Sequence, residues 1–176
     1  MTSQARMLTP AVHTYSGGAT SPERWATWTP RTGDILVCTP PKCGTTWTQT
    51  ILTMLVHGGT ELPDKVPVLS PWVDADLGVP SHEVAAAIDA QPGRRVIKTH
   101  TPADGFPVWE GVTGVAVYRH PLDVFFSMRK HVANTVNVSP VDLPFLLPVS
   151  DSFRQYVDGD VKRDDYGHET LAKISL

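Results

Sequence analysis

The chain has 176 residues, of which 41% are hydrophobic and 19% are charged, and this balance fits one globular domain with a buried core. A formal net charge of −3 argues against broad electrostatic binding to nucleic acid or to anionic membrane surfaces. The first ten residues lack the apolar core of a signal peptide, and no apolar run reaches the roughly 18 residues of a membrane span. We therefore expect a cytoplasmic protein without stable membrane insertion.

The N-terminal segment, residues 1–20, is rich in small and polar side chains and is predicted to be loosely ordered. Trp25 and Trp28 follow it and are expected to dock onto the core. Neither an internal repeat nor a linker interrupts the remaining chain, so residues 21–176 are predicted to form a single domain.

The first predicted strand and the first predicted helix follow one another closely. The apolar run at 34–39 has the length and the β-branched content of a buried parallel strand. Apolar residues then recur at helical spacing between Thr45 and His57, and two glycines end this helix. Residues 60–80 contain four prolines and are predicted to be irregular. Ser81 is expected to cap a short helix that ends at Ala90.

The second half of the chain repeats the strand and helix pattern. Residues 95–99 and 114–118 are predicted strands, and a helix is expected from Pro121 to about Val132. Residues 134–150 are read as an apolar loop, and a weak helix is expected near 153–157. Arg94 and Arg95 are expected on a solvated face. Strands that alternate with helices predict an α/β fold, in which helices flank a parallel sheet and ligands bind at the carboxyl ends of the strands.

The first strand end has the character of an atypical phosphate-binding loop. The predicted helix at Thr45 offers unsatisfied N–H groups and the positive end of its dipole to an anion. Gly44 allows a close approach of the backbone, Thr45 and Thr46 add hydroxyl groups, and Lys42 adds a positive charge. The common G-x-x-x-x-G-K-[ST] pattern is absent, because the lysine here precedes the glycine.

The other two strand ends carry further polar residues. His100 follows the second strand, and a neutral imidazole is suited to accept a proton near pH 7, although a histidine in such a place is often structural. Arg119 follows the third strand and offers a planar fork that suits phosphate oxygens. Asp123 is expected to favour the start of the following helix, and His120 to shape the turn before it.

Together these three strand ends resemble the cytosolic-type sulfotransferase family. Residues 41–47, Pro-Lys-Cys-Gly-Thr-Thr-Trp, look like its P-K-[ST]-G-T-T-W loop, and residues 98–102 look like its K-[ST]-H-[LT]-P segment. Arg119 and Ser127 have the spacing of its third element, although Tyr118 does not match cleanly. The resemblance implies a P-loop-like sulfotransferase fold and the donor 3′-phosphoadenosine 5′-phosphosulfate (PAPS), used without a metal ion.

The resemblance also implies roles for individual residues. The residues expected to bind the donor are Lys42, Cys43, Gly44, Thr45, Thr46, Trp47, Arg119 and Ser127. The residues expected to take part in catalysis are Lys42, Lys98 and His100, with His100 as the general base. Cys43 stands where the family has Ser or Thr, and a thiol beside a lysine and a helix N-terminus is expected to have a depressed pKa.

The acceptor is expected to be a small molecule, and a lipophilic alcohol, a phenol or a lipid-linked sugar is favoured. Residues 60–80 and 134–150, with Trp72 and Phe145, would form its pocket if they fold over His100, and Phe106 and Trp109 are further candidates. Compared with the family, the chain looks C-terminally shortened, with an incomplete sheet. The alternatives left open are a remnant that binds the nucleotide without turnover, a degenerate P-loop kinase, and completion of the site by a partner such as a second copy in a homodimer.

Overall fold

The structure is a computed structural model that describes residues 3–17, 19–158 and 169–170. Its strands are β1 (Met7–Thr9), β2 (Tyr15–Ser16), β3 (Ile35–Cys38), β4 (Val96–Thr99), β5 (Val108–Trp109), β6 (Thr113–Ala116) and β7 (Glu169–Thr170). Its α-helices are α1 (Thr45–His57), α2 (Val66–Leu69), α3 (Ser81–Asp89), α4 (Pro121–Ala133) and α5 (Val149–Asp158), and two 3-10 helices span Pro22–Ala26 and Pro140–Leu146. No helix in the described part of the chain has the length and apolar character needed to cross a bilayer.

The three predicted strands form one parallel sheet in the order β4-β3-β6. Val37 in the centre of β3 lies opposite Lys98 on one side and opposite Val115 on the other. Because all three strands point the same way, their carboxyl ends meet at one edge of the sheet. The predicted α/β class with a parallel sheet flanked by helices is confirmed.

Side chains that alternate along the strands cover the two faces of this sheet. On one face Ile35, Val37 and Val96 pack against Leu52 and Val56 of α1. On the opposite face a larger cluster contains the following buried residues: Ala5, Trp25, Trp28, Leu36, Val73, Ala85, Ile88, Ile97, Phe106 and Trp109. The two tryptophans expected to dock onto the core are therefore part of it. Burying each such large apolar side chain stabilises the fold by about 1.5–3 kcal/mol.

The N-terminal segment is more ordered than its composition suggests. Strand β1 pairs antiparallel with β5, and Ala5 and Tyr15 are buried. The expectation of loose order is therefore wrong for residues 3–9 and for Tyr15. The order of this segment comes from the pairing of β1 with β5, about a hundred residues further along the chain. Local composition cannot reveal such a pairing.

The expectation of a solvated Arg95 is also wrong. Its side chain is fully buried, and its Nε and Nη2 atoms donate to the two carboxylate oxygens of Asp34 at 2.9 and 2.6 Å. Further donors of the same guanidinium contact Asp89 and the carbonyl of Thr29. This bidentate pair joins the start of β3 to the start of β4, whereas the neighbouring Arg94 is exposed as predicted.

Several element bounds differ from those expected. Helix α3 begins at Ser81, with Pro80 in the capping position and no side-chain cap, so Ser81 is the first helical residue and not the cap. Helix α5 begins at Val149, earlier than expected, and β6 ends at Ala116. Within the irregular residues 60–80 the structure has the single helical turn α2.

Candidate active site at the carboxyl edge of the sheet

The loop between β3 and α1 is built around two left-handed backbone conformations. Lys42 has φ 65°, and Gly44, which stands at the capping position of α1, has φ 101°. No side chain caps this helix, so its first-turn N–H groups are free to meet an anion. A Cβ atom added at Gly44 would meet nothing within 4 Å, so the space in front of the helix is open. The loop thus has the geometry that the sequence predicts for an anion site.

Hydroxyl groups around the loop fix its shape from behind. The Thr39 and Thr45 hydroxyls form a buried hydrogen bond of 2.6 Å, which ties the end of β3 to the first turn of α1. Thr48 donates its hydroxyl proton to the carbonyl of Gly44 at 3.1 Å. Thr45 is therefore engaged inside the loop, whereas Thr46 and Trp47 are exposed beside it.

Replacing Gly44 with alanine is expected to lower the free energy of unfolding by about 1–2 kcal/mol, because alanine disfavours left-handed backbone. Gly59 has no positive φ and equally open space, so Gly59→Ala is the matched control, with a change below about 0.5 kcal/mol. Urea denaturation of both variants measures the difference. Equal stability of the two variants would show that Gly44 is not held in this conformation.

The environment of Cys43 differs from the expectation. Its side chain is only 4% exposed, and burial raises the pKa of the thiol above its ordinary value. The backbone and the charge of Arg119 act in the opposite direction without reversing the effect. The prediction of a depressed thiol pKa is therefore wrong, because burial outweighs the nearby positive charge.

His100 lies directly behind the phosphate loop. Its Nδ1 atom is 2.6 Å from the carbonyl oxygen of Thr39, and a carbonyl can only accept, so Nδ1 carries the proton. The other ring nitrogen, Nε2, then has its lone pair available. Burial and the positive charge of Lys98 lower the pKa of His100 to about 4, against the raising effect of the Thr39 contact. A neutral histidine with one nitrogen held in place is the form that a general base needs.

Trp72 is a site residue whose arrangement the sequence does not reveal. Its ring meets the His100 ring edge-on, with 4.8 Å between the ring centroids. The Nζ atom of Lys98 lies over the tryptophan ring, 4.1 Å from its centroid. Two backbone hydrogen bonds, Lys98 N–H to Pro71 and Val73 N–H to Lys98, align this segment with β4. The tryptophan is thus held by strand-like pairing, as a cation–π partner of the lysine.

The positive charges of Lys98 and Lys42 both lie close to His100. Burial lowers the pKa of Lys98, the charge of Asp74 raises it, and the charge of Lys42 lowers it again. Lys42 also acts on His100 in the same direction as Lys98 does. The three residues expected to take part in catalysis are therefore close enough to influence one another electrostatically.

The ring protons of His100 are expected to titrate in NMR spectra with a midpoint at about pH 4, below the ordinary value of 6.5. The unfolded chain binds this proton more readily than the folded chain, so stability is lost as the pH falls from about 6.5 to about 4. Lys98→Met should raise the midpoint by removing a like charge, whereas Lys130→Met on the exposed end of α4 should not. A wild-type midpoint near 6.5 would contradict the buried, neutral state.

The third strand end meets the loop through Arg119, whose backbone contacts the Cys43 thiol. The Arg119 side chain is 44% exposed and lies 3.7 Å from Asp123, a weak ion pair that leaves its fork accessible. Nδ1 of His120 accepts from the Leu122 N–H at 3.3 Å and caps α4, so its expected role in shaping the turn is confirmed. Ser127 follows in α4 and is partly buried.

The residues expected to line an acceptor pocket do not all gather at His100. Trp72 does, but Phe145 packs with Phe125 and Tyr156 against α4 and α5. Phe106 stacks on Trp25. Trp109 lines a separate cavity of about 480 Å³ with Trp25, Trp28 and N-terminal residues. In the described part of the chain no group of three or more His, Cys, Asp or Glu residues is arranged to hold a metal ion.

Several known proteins are similar to this chain in sequence. A family model described as a sulfotransferase domain matches residues 32–170. Glycolipid sulfotransferases of Mycobacterium tuberculosis and Mycobacterium bovis are 43% identical over 111 residues, which is 63% of this chain and 34% of each relative. Sulfotransferase 1B1 of Mus musculus is 36% identical over 83 residues, covering 44% of this chain and 28% of the relative. The chain spans about a third of the length of these relatives.

Proposed function

The chain belongs to the sulfotransferase family, and on that premise we propose that it transfers a sulfuryl group from PAPS to a hydroxyl group or an amine of a small lipophilic acceptor. One observation carries the proposal. A neutral His100, with its Nδ1 proton held by the Thr39 carbonyl, lies behind a loop that presents Lys42 and open helix N–H groups. A base and an anion site side by side suit the attack of a hydroxyl group on an anionic donor.

The residues present fit the donor that the family generally uses. The open N-terminus of α1 and the left-handed Gly44 suit the 5′-phosphosulfate end, and Trp47, with 77% of its surface exposed, is available to stack on the adenine. The exposed fork of Arg119 and the hydroxyl of Ser127 would hold the 3′-phosphate. PAPS supplies an activated sulfuryl group, and the loop keeps its charged end in place.

The side chains divide the chemical work between them. His100 takes the acceptor proton on Nε2, because Nδ1 already donates to Thr39. Lys42 stabilises the negative charge that develops on the departing nucleotide, and Lys98 steadies the sulfuryl oxygens from its place over Trp72. Most of the rate gain then comes from positioning and preorganised charge. A sulfuryl group carries less negative charge than a phosphoryl group, so we expect transfer without Mg²⁺.

We propose a glycolipid as the first acceptor to test. The Mycobacterium relatives are named glycolipid sulfotransferases, and a lipid-linked sugar combines a nucleophilic hydroxyl with an apolar tail. Trp72 lies against His100, where an aromatic ring can contact the apolar face of a sugar or a phenol. A phenol or simple lipophilic alcohol would use the same surface.

The test is incubation of the purified chain with ³⁵S-labelled PAPS and a panel of glycolipids, phenols and alcohols in EDTA. Labelled product that depends on the acceptor supports the proposal. Binding of PAPS in calorimetry without any product would instead identify a protein that binds the nucleotide without turnover. Transfer from ATP that requires Mg²⁺ would overturn both and indicate a kinase.

A further inference from the structure

Asp74 is the most deeply buried carboxylate beside the proposed catalytic residues, with 1% of its surface exposed. Its Oδ2 atom accepts hydrogen bonds from the hydroxyls of Thr99 at 2.9 Å and Thr101 at 2.5 Å. These two threonines are the residues on either side of His100. Both donors to this oxygen lie at the end of β4 or just beyond it.

The threonines are also bonded to each other and to β3. The backbone N–H of Thr101 donates to the Thr99 hydroxyl oxygen at 2.9 Å, which closes a ring of three hydrogen bonds through Asp74. The carbonyl of Thr101 accepts from the Cys38 thiol at 3.1 Å. The backbone of His100 is therefore clamped on both sides, while its ring is clamped by the Thr39 carbonyl.

The same carboxylate acts on the neighbouring lysine. The charge of Asp74 raises the pKa of Lys98, in opposition to burial and to the charge of Lys42. Burial raises the pKa of Asp74 itself, and the two threonine hydroxyls counteract that rise. Asp74 also acts on the Cys38 thiol, whose pKa rises to about 11 mainly through burial.

Two further polar atoms beside this ring are buried, namely Oδ1 of Asp74 and the indole N–H of Trp72, and in the described part of the chain neither makes a hydrogen bond of ordinary geometry. The indole also helps to lower the pKa of Asp74, so it lies near the carboxylate. Asp74 is thus bonded to the two residues that flank His100 and lies near Lys98 and Trp72.

We propose that Asp74 is a positioning residue for sulfuryl transfer, whose buried carboxylate fixes the backbone on both sides of His100 and places a negative charge beside Lys98. The role in turnover rests on the proposed function, but the structural part does not. Asp74 touches no reacting atom, so it acts through the two residues that do.

The first experiment needs no turnover. Lysine labelled with ¹³C at Cε is introduced into the full chain, and the Lys98 signal, assigned through Lys98→Met, is titrated. We expect Asp74→Asn to lower the pKa of Lys98, because it removes a negative charge and keeps the size of the side chain. The matched control is Asp76→Asn. The carboxylate of Asp76 is exposed and pairs with Arg24, so its replacement should leave the pKa of Lys98 unchanged. An unmoved Lys98 titration in folded Asp74→Asn overturns the proposal.

The second experiment uses acceptor-dependent turnover. Asp74→Asn is expected to lower kcat about 10–100-fold, with a smaller change in the KM for PAPS, and to move the alkaline limb of the pH profile to lower pH. Thr101→Val should also lower kcat. Thr101→Ser, which keeps the hydroxyl, should have a kcat close to that of the wild type. An unchanged kcat in Asp74→Asn, or equal loss in Thr101→Ser and Thr101→Val, overturns the positioning role.

The outcomes separate the two proposals. A wild-type chain without turnover counts against the proposed function, and the lysine titration then still decides the structural part. Should Asp74→Asn fail to fold, the threonine pair of variants decides instead. Thr101→Val and Thr101→Ser both keep the Asp74 carboxylate, and only Thr101→Val removes the hydroxyl. A kcat that falls in Thr101→Val but not in Thr101→Ser supports the ring of hydrogen bonds.

Discussion

Replacing His100 with alanine is expected to lower kcat for sulfuryl transfer by about 10²–10⁴-fold, the range typical of a lost general base. The substitution removes Nε2, the nitrogen whose lone pair is available because Nδ1 donates to the Thr39 carbonyl. The KM for PAPS should change far less, because the proposed donor site is the phosphate loop and not the imidazole. Initial rates at saturating donor and acceptor measure the effect.

A second histidine variant separates loss of the base from general damage. His82 lies in the first turn of α3 and is exposed, so His82→Ala should retain full activity. Circular dichroism and thermal unfolding of His100→Ala must show a folded chain, because the variant also removes a contact with Trp72. A folded His100→Ala variant with near wild-type kcat would remove His100 from the mechanism.

Replacing Arg95 with alanine is expected to lower the free energy of unfolding by about 3–5 kcal/mol. The substitution leaves Asp34, which is 1% exposed, as a buried charge without its bidentate partner. Asp34 keeps one hydrogen bond, from the backbone N–H of Arg31 at 2.7 Å, which is insufficient to compensate a carboxylate in that position. Because most domains are stable by only about 5–15 kcal/mol, the variant should be close to unfolding at 37 °C.

Arg94 provides the matched control for this stability experiment. It precedes Arg95 directly, is exposed, and donates one hydrogen bond to the Gly33 carbonyl at 2.7 Å. Arg94→Ala should therefore cost about 1 kcal/mol or less. Urea denaturation of both variants at pH 7 compares them. Similar losses for the two arginines would mean that the Asp34 pair is far more solvated than its burial indicates.

The sequence is sufficient to predict the sheet and the edge at which the three polar strand ends meet. Strands β3 and β4 and helix α4 follow from local apolar spacing, since each buries apolar residues of its own. Helix α1 and strand β6 follow from the same kind of spacing, although β6 has no fully buried residue. The three polar strand ends could be placed together because a parallel sheet brings its carboxyl ends to one edge. Roles for Lys42, Lys98, His100, Arg119 and Ser127 in transfer stay predictions.

The features that the sequence could not predict depend on contacts between distant segments of the chain. Arg95 follows Pro92 and Gly93 beside another arginine, a pattern typical of a solvated turn. It is nevertheless buried, because it pairs with the buried carboxylate of Asp34. The thiol of Cys43 is governed by burial and by the distant Arg119, not by its immediate neighbours. Trp72 sits in a proline-rich stretch without periodicity, and only its pairing with Lys98 brings it to His100.

The order of the strands in the sheet has a consequence for biosynthesis. β3 is the central strand, but both of its partners, β4 and β6, lie later in the chain. A ribosome therefore releases β3 with both edges unpaired, and roughly sixty residues must follow before its first neighbour emerges. Helix α1, built from local contacts, can form during that interval, whereas the apolar β3 must wait. The nascent chain thus exposes an apolar strand of the future core early, which makes β3 the segment that a chaperone would shield.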